Sequence, residues 1–307
     1  TNLWMSNFFY EKFGPKRVYS DKYTQHTYDI ALALQRLIEN TGVKIANDLY
    51  HITKSKNLCV AGGVALNVLM NRSIIDKTPF ENYFFQPISN DAGSSFGSSL
   101  YYYHQILGHD RSSIFNSVYL GTEYSNEEIE RALTSYNLIY KKTDNISKST
   151  AKYIADGKIV GWFQGKMEAG PRALGNRSIV ADARSKDMKD RLNKRVKRRE
   201  FFRPFAPSVL EEKVYEYFIM PKDQLSPYMM IVGDVVNDKR TVIPAITHAD
   251  NTARVHTVNK ETNPRYWNLI YEFEKLTGVQ VIINTSFNEN EPIVHTPKQA
   301  IECFLRT

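Results

Sequence analysis

Residues 161–178, GWFQGKMEAGPRALGNRS, set Lys166, Arg172 and Arg177 among four glycines, between an expected strand and the next apolar run. Glycine lets backbone approach a ligand closely, and guanidinium groups grip phosphate or carboxylate oxygens in pairs. A turn that is only structural needs one or two glycines and no convergent cations. The pattern points to an anion site. Arg203 adds to it, because it lies in Phe201-Phe202-Arg203-Pro204-Phe205-Ala206-Pro207, a run too apolar to expect in solvent. A buried guanidinium there needs an anion.

Further polar groups end other apolar runs. His248-Ala249-Asp250-Asn251-Thr252-Ala253 leads into Arg254, which suits a cross-strand ion pair or a second phosphate grip. Asn284-Thr285-Ser286-Phe287-Asn288 follows the strand-like VQVII, where amides and hydroxyls suit a nucleotide or a loop cap equally. GGVALN puts Gly62, Gly63 and Asn67 between a strand and a helix, where a nucleotide's phosphate or sugar can press on backbone. NDAGSSFG repeats that layout with Asp91 in the turn, as a cation ligand or a plain helix N-cap. It also holds Gly93-Ser94-Ser95-Phe96-Gly97, the spacing of a nucleophile elbow. The preceding strand ends near Gln86, several residues too early for a tight elbow, and no histidine is tied to Ser95. Small residues packing a helix start are the better reading.

The elements that must position these groups follow from periodicity. A long helix is expected over 25–53, then strand–glycine turn–helix twice: a strand at 58–61 with a helix after Gly63, and a strand at 83–86 with a helix around 100–107. Polar residues 108–117 read as a linker. Ser125 to Glu128 is a capping box, and a helix over 146–156 closes at Gly157. Strands are expected at 158–164, 178–183, 228–235, 241–247, 252–259 and 279–284, with helices at 186–199, 265–277 and from Thr296-Pro297 onward. The fold class is therefore α/β: domain one over 1–112, and a mixed α/β domain two, rich in strands, over 117–307.

Bulk properties bound the function. A chain of 307 residues, 42% apolar and 24% charged, is long enough for two globular cores. No stretch approaches a membrane span and no signal peptide is visible, so a cytoplasmic protein is expected. Cys59 and Cys303 lie in apolar runs and read as buried, reduced thiols. The net charge is +7, with ten Lys or Arg against three acids between Arg184 and Arg203. Partners could be nucleic acid, nucleotide phosphates or other anions. The chain starts Thr-Asn-Leu and stops inside an apparent helix, which reads as a fragment.

In this order, the segments CVAGGVALNVLMNRSI, QPISNDAGSSFGSSL, GWFQGKMEAGPRALGNRSIVADAR, REFFRPFAPSVL, HADNTARVHTV and NTSFNENEPIVHTPKQAIECFLRT resemble the O-carbamoyltransferases of nodulation and antibiotic biosynthesis. The resemblance implies the C-terminal half of a transferase domain of the actin-like ATPase superfamily, followed by a threonylcarbamoyl-AMP-synthase-like domain. It implies that the second domain joins carbamoyl phosphate and ATP into carbamoyl-adenylate. The first would pass the carbamoyl group to a small hydroxylated acceptor beside a divalent metal, iron-like, with Mg²⁺ accompanying ATP. Lys166, Arg172, Arg177 and Arg203 would be catalytic. Arg254, Asn284, Ser286, Gly62, Gly63 and Asn67 would hold nucleotide or carbamoyl-adenylate, and Asp91 would ligate the metal. The family's metal histidines fall outside this chain, and a homodimer is a further expectation. Asp250-Asn251-Thr252 stands where the family has Asp-Gly-Thr; Asn tolerates positive φ, so the turn should survive.

Three rivals follow. One is tRNA threonylcarbamoyladenosine biosynthesis, which shares both domain types and would need threonine and bicarbonate. Another is nucleic-acid binding through 184–203, though no specific nucleic acid is expected. The last is a hydrolase on Ser95.

Overall fold

The computed structural model describes residues 6–18, 20–111, 115 and 117–307. Parts of the expected linker, residues 112–114 and 116, lie outside that set. The first unit contains α1 (Asn7–Phe13), α2 (Gln25–Thr53), β1 (Asn57–Val60), α3 (Val68–Lys77), β2 (Asn82–Phe85) and α4 (Ala92–Tyr101). Strands β1 and β2 pair in parallel. Helix α2 lays Ile38, Val43 and Ala46 against Met70 and Ile74 of α3, and leaves Leu34, Leu37, Ile45, Leu49 and Ile52 exposed. Helix α4 begins directly after Asp91, earlier than the expected start near Leu100. Gly93 permits this, because a Cβ there would sit 1.9 Å from the Ile88 carbonyl oxygen.

The second unit is built on a mixed sheet. Its elements are α5 (Asn126–Ser135), α6 (Ile146–Ala155), β3 (Val160–Phe163), β4 (Arg177–Asp182), α7 (Met188–Arg191, continuing as a wider turn to Val196), β5 (Ala206–Leu210), α8 (Val214–Tyr217), β6 (Phe218–Ile219), β7 (Ile231–Val235), β8 (Thr252–Val258), α9 (Pro264–Thr277), β9 (Val281–Ser286) and α10 (Pro297–Arg306). The strand order is β3-β4-β9-β5-β8-β7-β6, and only β5 and β8 run parallel. Ser125 and Glu128 cap α5 reciprocally, as the sequence spacing requires.

One expected strand is not formed. Residues 241–247 make successive turns, with Val242 and Ile243 N–H both donating to the Lys239 carbonyl. Their apolar character reflects burial of Ile243, Ala245 and Ile246, not membership of the sheet. Conversely β5, the central strand, is not legible, because Pro207 argues against a sheet interior. It is tolerated at the strand's start: pairing with β8 begins only at Ser208.

The two units are docked. Arg72 of α3 pairs with Asp234 of β7 at 2.6 Å, and Asn71 Nδ2 donates to the Met230 carbonyl at 2.9 Å. Lys222 Nζ donates to the carbonyls of Thr78 and Phe80. Ile75 and Phe85 join the same apolar cluster as the sheet residues Val255 and Ile283. Cys303 is buried as expected, but Cys59 is exposed, since the alternation of β1 turns Leu58 inward and Cys59 outward. No helix of the described residues is long and apolar enough to cross a membrane.

Gly175 has φ +99, and an added Cβ would lie 2.4 Å from the Tyr266 ring. Left-handed strain and overpacking each cost about 1–3 kcal/mol, so Gly175→Ala should lower unfolding free energy by about 2–4 kcal/mol in urea titration.

Candidate anion site

The glycine-rich segment folds around one carboxylate. Glu168, 5% exposed, accepts the backbone N–H of Leu174 at 2.7 Å, Asn176 at 2.8 Å and Arg177 at 3.2 Å. Gly170 at φ +109 brings this loop against the first unit, where a Cβ would lie 2.6 Å from the Pro87 carbonyl oxygen. The loop thereby presents Arg172 to the junction of the units, where its Nη2 donates to the Leu66 carbonyl at 3.1 Å.

Arg172 does not stand alone. A cavity of about 480 Å³ is lined by Arg172, Arg199, Arg203 and Arg254, with Asn284 and Ser286 in the same wall. Period-two alternation puts Arg254 and His256 on one face of β8, and the same rule pairs Asn284 with Ser286 on β9. Val68 and Leu69, at the start of α3, complete the cavity from the first unit. Among the described residues Asp250 is the one carboxylate in the lining, and it is held by the Thr252 hydroxyl at 2.7 Å. Asn251 sits at φ 65, so the turn before Arg254 survives with Asn in place of Gly.

The charge in this cavity is poorly compensated. Arg254 has no hydrogen-bond or ion-pair partner among the described residues, and its Nε is buried. The Arg172 Nε is also buried without a partner. Burial pulls the Arg254 pKa down to about 9, helped by repulsion from Arg172 and Arg199. Burial also lowers Arg172 and Arg199. Arg199 is steered by Asn193 Oδ1 at 2.8 Å and lies over the Phe205 ring. His248 is pushed down to about 4 by burial, so it adds no charge near neutral pH. An anion fits this arrangement, and nothing else on the walls supplies the missing negative charge.

Several expected site residues lie elsewhere or differ in environment. Arg203 lines the cavity but is half exposed and paired with Glu200 at 2.9 Å; Phe201 and Phe202 are exposed too, so the run is less buried than its composition suggests. Arg177 is fully buried, and its guanidinium donates to the carbonyls of Gln164, Gly165, Asn176 and Thr122 while stacking on Phe163 at 3.7 Å. The geometry gives it the loop to hold, not a place in the cavity lining. Lys166 is exposed and lines a separate, open cavity of about 1140 Å³ beside Asn263 and Trp267.

In the first unit, Gly62 and Gly63 have open space around them. The Asn67 amide is taken up by Gln35 and by capping Met70 N–H. Asp91 is exposed and makes no side-chain cap. The described residues hold no group of three or more His, Cys, Asp or Glu that fits a metal ion, so Asp91 by itself does not build a metal centre. Ser95 lies inside α4 and donates to the Ala92 carbonyl, which removes the nucleophile-elbow geometry.

Two groups beside the cavity escape the sequence reading. Lys197, 3% exposed, places Nζ against four acceptors: the Ser286 carbonyl at 2.6 Å and hydroxyl at 3.2 Å, and the Asn288 carbonyl and Oδ1, each at 2.7 Å. The row 193, 197 runs beside the apolar stripe 188, 192, 196, a spacing visible in the sequence. His256, 2% exposed, bonds Ser208. Its signal was its alternation with Arg254. The basic segment 184–199 is thus partly internal, with Lys197 buried and Arg199 at the cavity, while Lys186, Arg191, Lys194, Arg195 and Arg198 face solvent.

Comparison with known proteins places the chain in a family. The family described as Carbamoyltransferase C-terminus matches residues 151–307, and Carbamoyltransferase N-terminus matches residues 1–100. An uncharacterised Synechocystis protein is 43% identical over 100% of this chain and 55% of its own length. The nodulation protein NolO of Bradyrhizobium diazoefficiens is 41% identical, over 93% of this chain and 53% of its own. Nodulation protein NolNO of Sinorhizobium fredii is 40% identical, over 93% and 43%. The chain therefore spans about half the length of the curated relatives it matches. The crystal structure of full-length HypF in its phosphate- and nucleotide-bound form overlaps 54% of this chain and 20% of its own, at 21% identity and a TM-score of 0.40. From both matched halves and the NolO and NolNO relatives, the chain belongs to the carbamoyltransferase family.

Proposed function

We propose that this chain serves an ATP-dependent O-carbamoyltransferase, and that its arginine-lined cavity forms carbamoyl-adenylate. The carrying observation is the set of Arg172, Arg199, Arg203 and Arg254 around one cavity with a single, already engaged carboxylate. In this reading carbamoyl phosphate and water give carbamate and inorganic phosphate. A carbamate oxygen then attacks the α-phosphorus of ATP, one P–O bond forms, and the bond to pyrophosphate breaks. Charge builds on phosphoryl oxygens throughout, and fixed guanidinium groups stabilise it without reorganising. The family match supports carbamoyl transfer, and we take the later step to be transfer to a hydroxyl of a small metabolite.

We assign that transfer to the first unit, read as the C-terminal half of an actin-like ATPase-superfamily domain. The second unit is read as threonylcarbamoyl-AMP-synthase-like. Gly62, Gly63 and Asp91 belong to the transfer face. The described residues do not fit a metal by themselves.

The test is ATP–pyrophosphate exchange dependent on carbamoyl phosphate. Arg172→Ala and Arg254→Ala should each lower the exchange rate by roughly 100-fold, the usual loss on removing one transition-state donor. Exchange that depends on threonine and bicarbonate instead, or variants with undiminished rates, would overturn the reading.

Lys197 gives a pH signature. Burial and the Arg199 charge lower its pKa from 10.5 to about 7 in the folded protein. Between those values the unfolded chain binds the extra proton and the folded one does not, so raising pH favours the folded state. The wild type should gain stability over Lys197→Met as pH rises from about 7 towards 10 in urea titrations. A difference that stays flat would show the ammonium is retained when buried.

A further inference from the structure

The cavity is rich in donors, and one of its buried acceptors is unclaimed. Asn284 is 0% exposed and lines the cavity, yet its Oδ1 has no hydrogen-bond partner among the described residues. The direction of this amide is fixed by its other end. Nδ2 lies 3.0 Å from the Ala173 carbonyl, which can only accept, so nitrogen must face that way. Nδ2 also lies 3.3 Å from His256 Nδ1.

The imidazole is oriented in turn. Tyr266 Oη donates to Ser208 Oγ at 3.0 Å, which leaves the serine proton for His256 Nδ1 at 2.7 Å. Nδ1 therefore presents its lone pair, to Ser208 and Asn284 alike, and the ring carries its proton on Nε2. Burial keeps this ring neutral by pulling its pKa down to about 3. A proton on Nδ1 would set two N–H groups against each other and turn the Asn284 amide round. The chain Tyr266, Ser208, His256, Asn284, Ala173 thus leaves Oδ1 as the amide's free end.

An anion alone does not explain that acceptor. A phosphate brings more acceptors, which the guanidinium groups satisfy and Oδ1 does not. A planar carbamoyl group brings an N–H as well. We propose that Asn284 Oδ1 reads the carbamoyl N–H and so sets acyl-group specificity, and that His256 is a positioning residue holding the amide in that direction. This rests on the cavity being an acyl-phosphate site. An acetyl group has the same shape with a methyl in place of the amine, and it would leave Oδ1 buried and unpaired.

The experiment measures dissociation constants of carbamoyl phosphate and acetyl phosphate by calorimetry on this chain. The wild type should prefer carbamoyl phosphate by ~10- to 100-fold, the range for leaving one buried polar group unpaired. Asn284→Leu should bring the ratio to within about twofold of one while acetyl phosphate still binds, which also shows the variant is folded. His256→Leu should reduce the preference, and His256→Asn should restore it, because its Oδ1 stands where Nδ1 was. A wild type without preference, a ratio unchanged in Asn284→Leu, or both ligands lost together would overturn the assignment. A carbamoyl preference without pyrophosphate exchange would sink adenylation and leave Asn284 standing. Exchange with an unchanged ratio would do the reverse.

Discussion

The structure depends on holding like charges together inside protein. Arg172, Arg199 and Arg254 each have a pKa lowered by burial, and for Arg254 its two neighbours lower it further. Two unit charges a few ångströms apart repel by about 4 kcal/mol at an effective dielectric of 20 and 4 Å separation, so such a cluster persists only if each member is fixed independently. That is how the fold treats them. Arg254 is fixed by strand register, Arg172 by a loop, and Arg199 by Asn193 and the Pro204 carbonyl. The repulsion left over is what an anion relieves, which couples occupancy of the cavity to stability.

Glu168 is the counterpart of that cluster. Its carboxylate is buried close to the cationic loop, but it accepts from three backbone N–H groups and not from a guanidinium. Negative charge is thus committed to loop conformation and kept off the cavity walls. Arg177 does the reverse with carbonyls, receiving the loop's acceptors as Glu168 receives its donors. A loop braced at both polarities can offer Arg172 without moving, which is the condition for stabilising charge that develops during a reaction.

This division explains what the sequence disclosed and what it did not. Convergent arginines among glycines were legible because spacing survives folding. Which arginine faces the cavity was not, since Arg172 and Arg177 are alike in the chain and only Arg177 is enclosed by several carbonyls. Arg203 misled for a related reason: an aromatic run suggests burial, but burial depends on what lies opposite. Lys197 and His256 required knowing that the turn after α7 meets the end of β9 at Ser286 and that β8 lies beside β5. Central β5 was hidden by Pro207, whose missing N–H matters only where a partner strand needs it. The positive φ of Asn251, by contrast, followed from the resemblance to Asp-Gly-Thr together with the tolerance of Asn for that conformation.

The position of the cavity ties its chemistry to the docking of the two units. Arg172 donates one N–H to the Leu66 carbonyl, in the turn that leads from Gly62-Gly63 into α3, and Val68 and Leu69 wall the same cavity. The α3 helix is clamped by Arg72 to Asp234 of β7 and by Asn71 to Met230 just before that strand, and Val232, between the two, pairs in register with Arg254. A shift of α3 would therefore move the cavity wall, a bond to Arg172 and the strand beside Arg254 together. An anion bound in the cavity would be linked to the seating of the first unit through the same few contacts, and tightening one would then tighten the other.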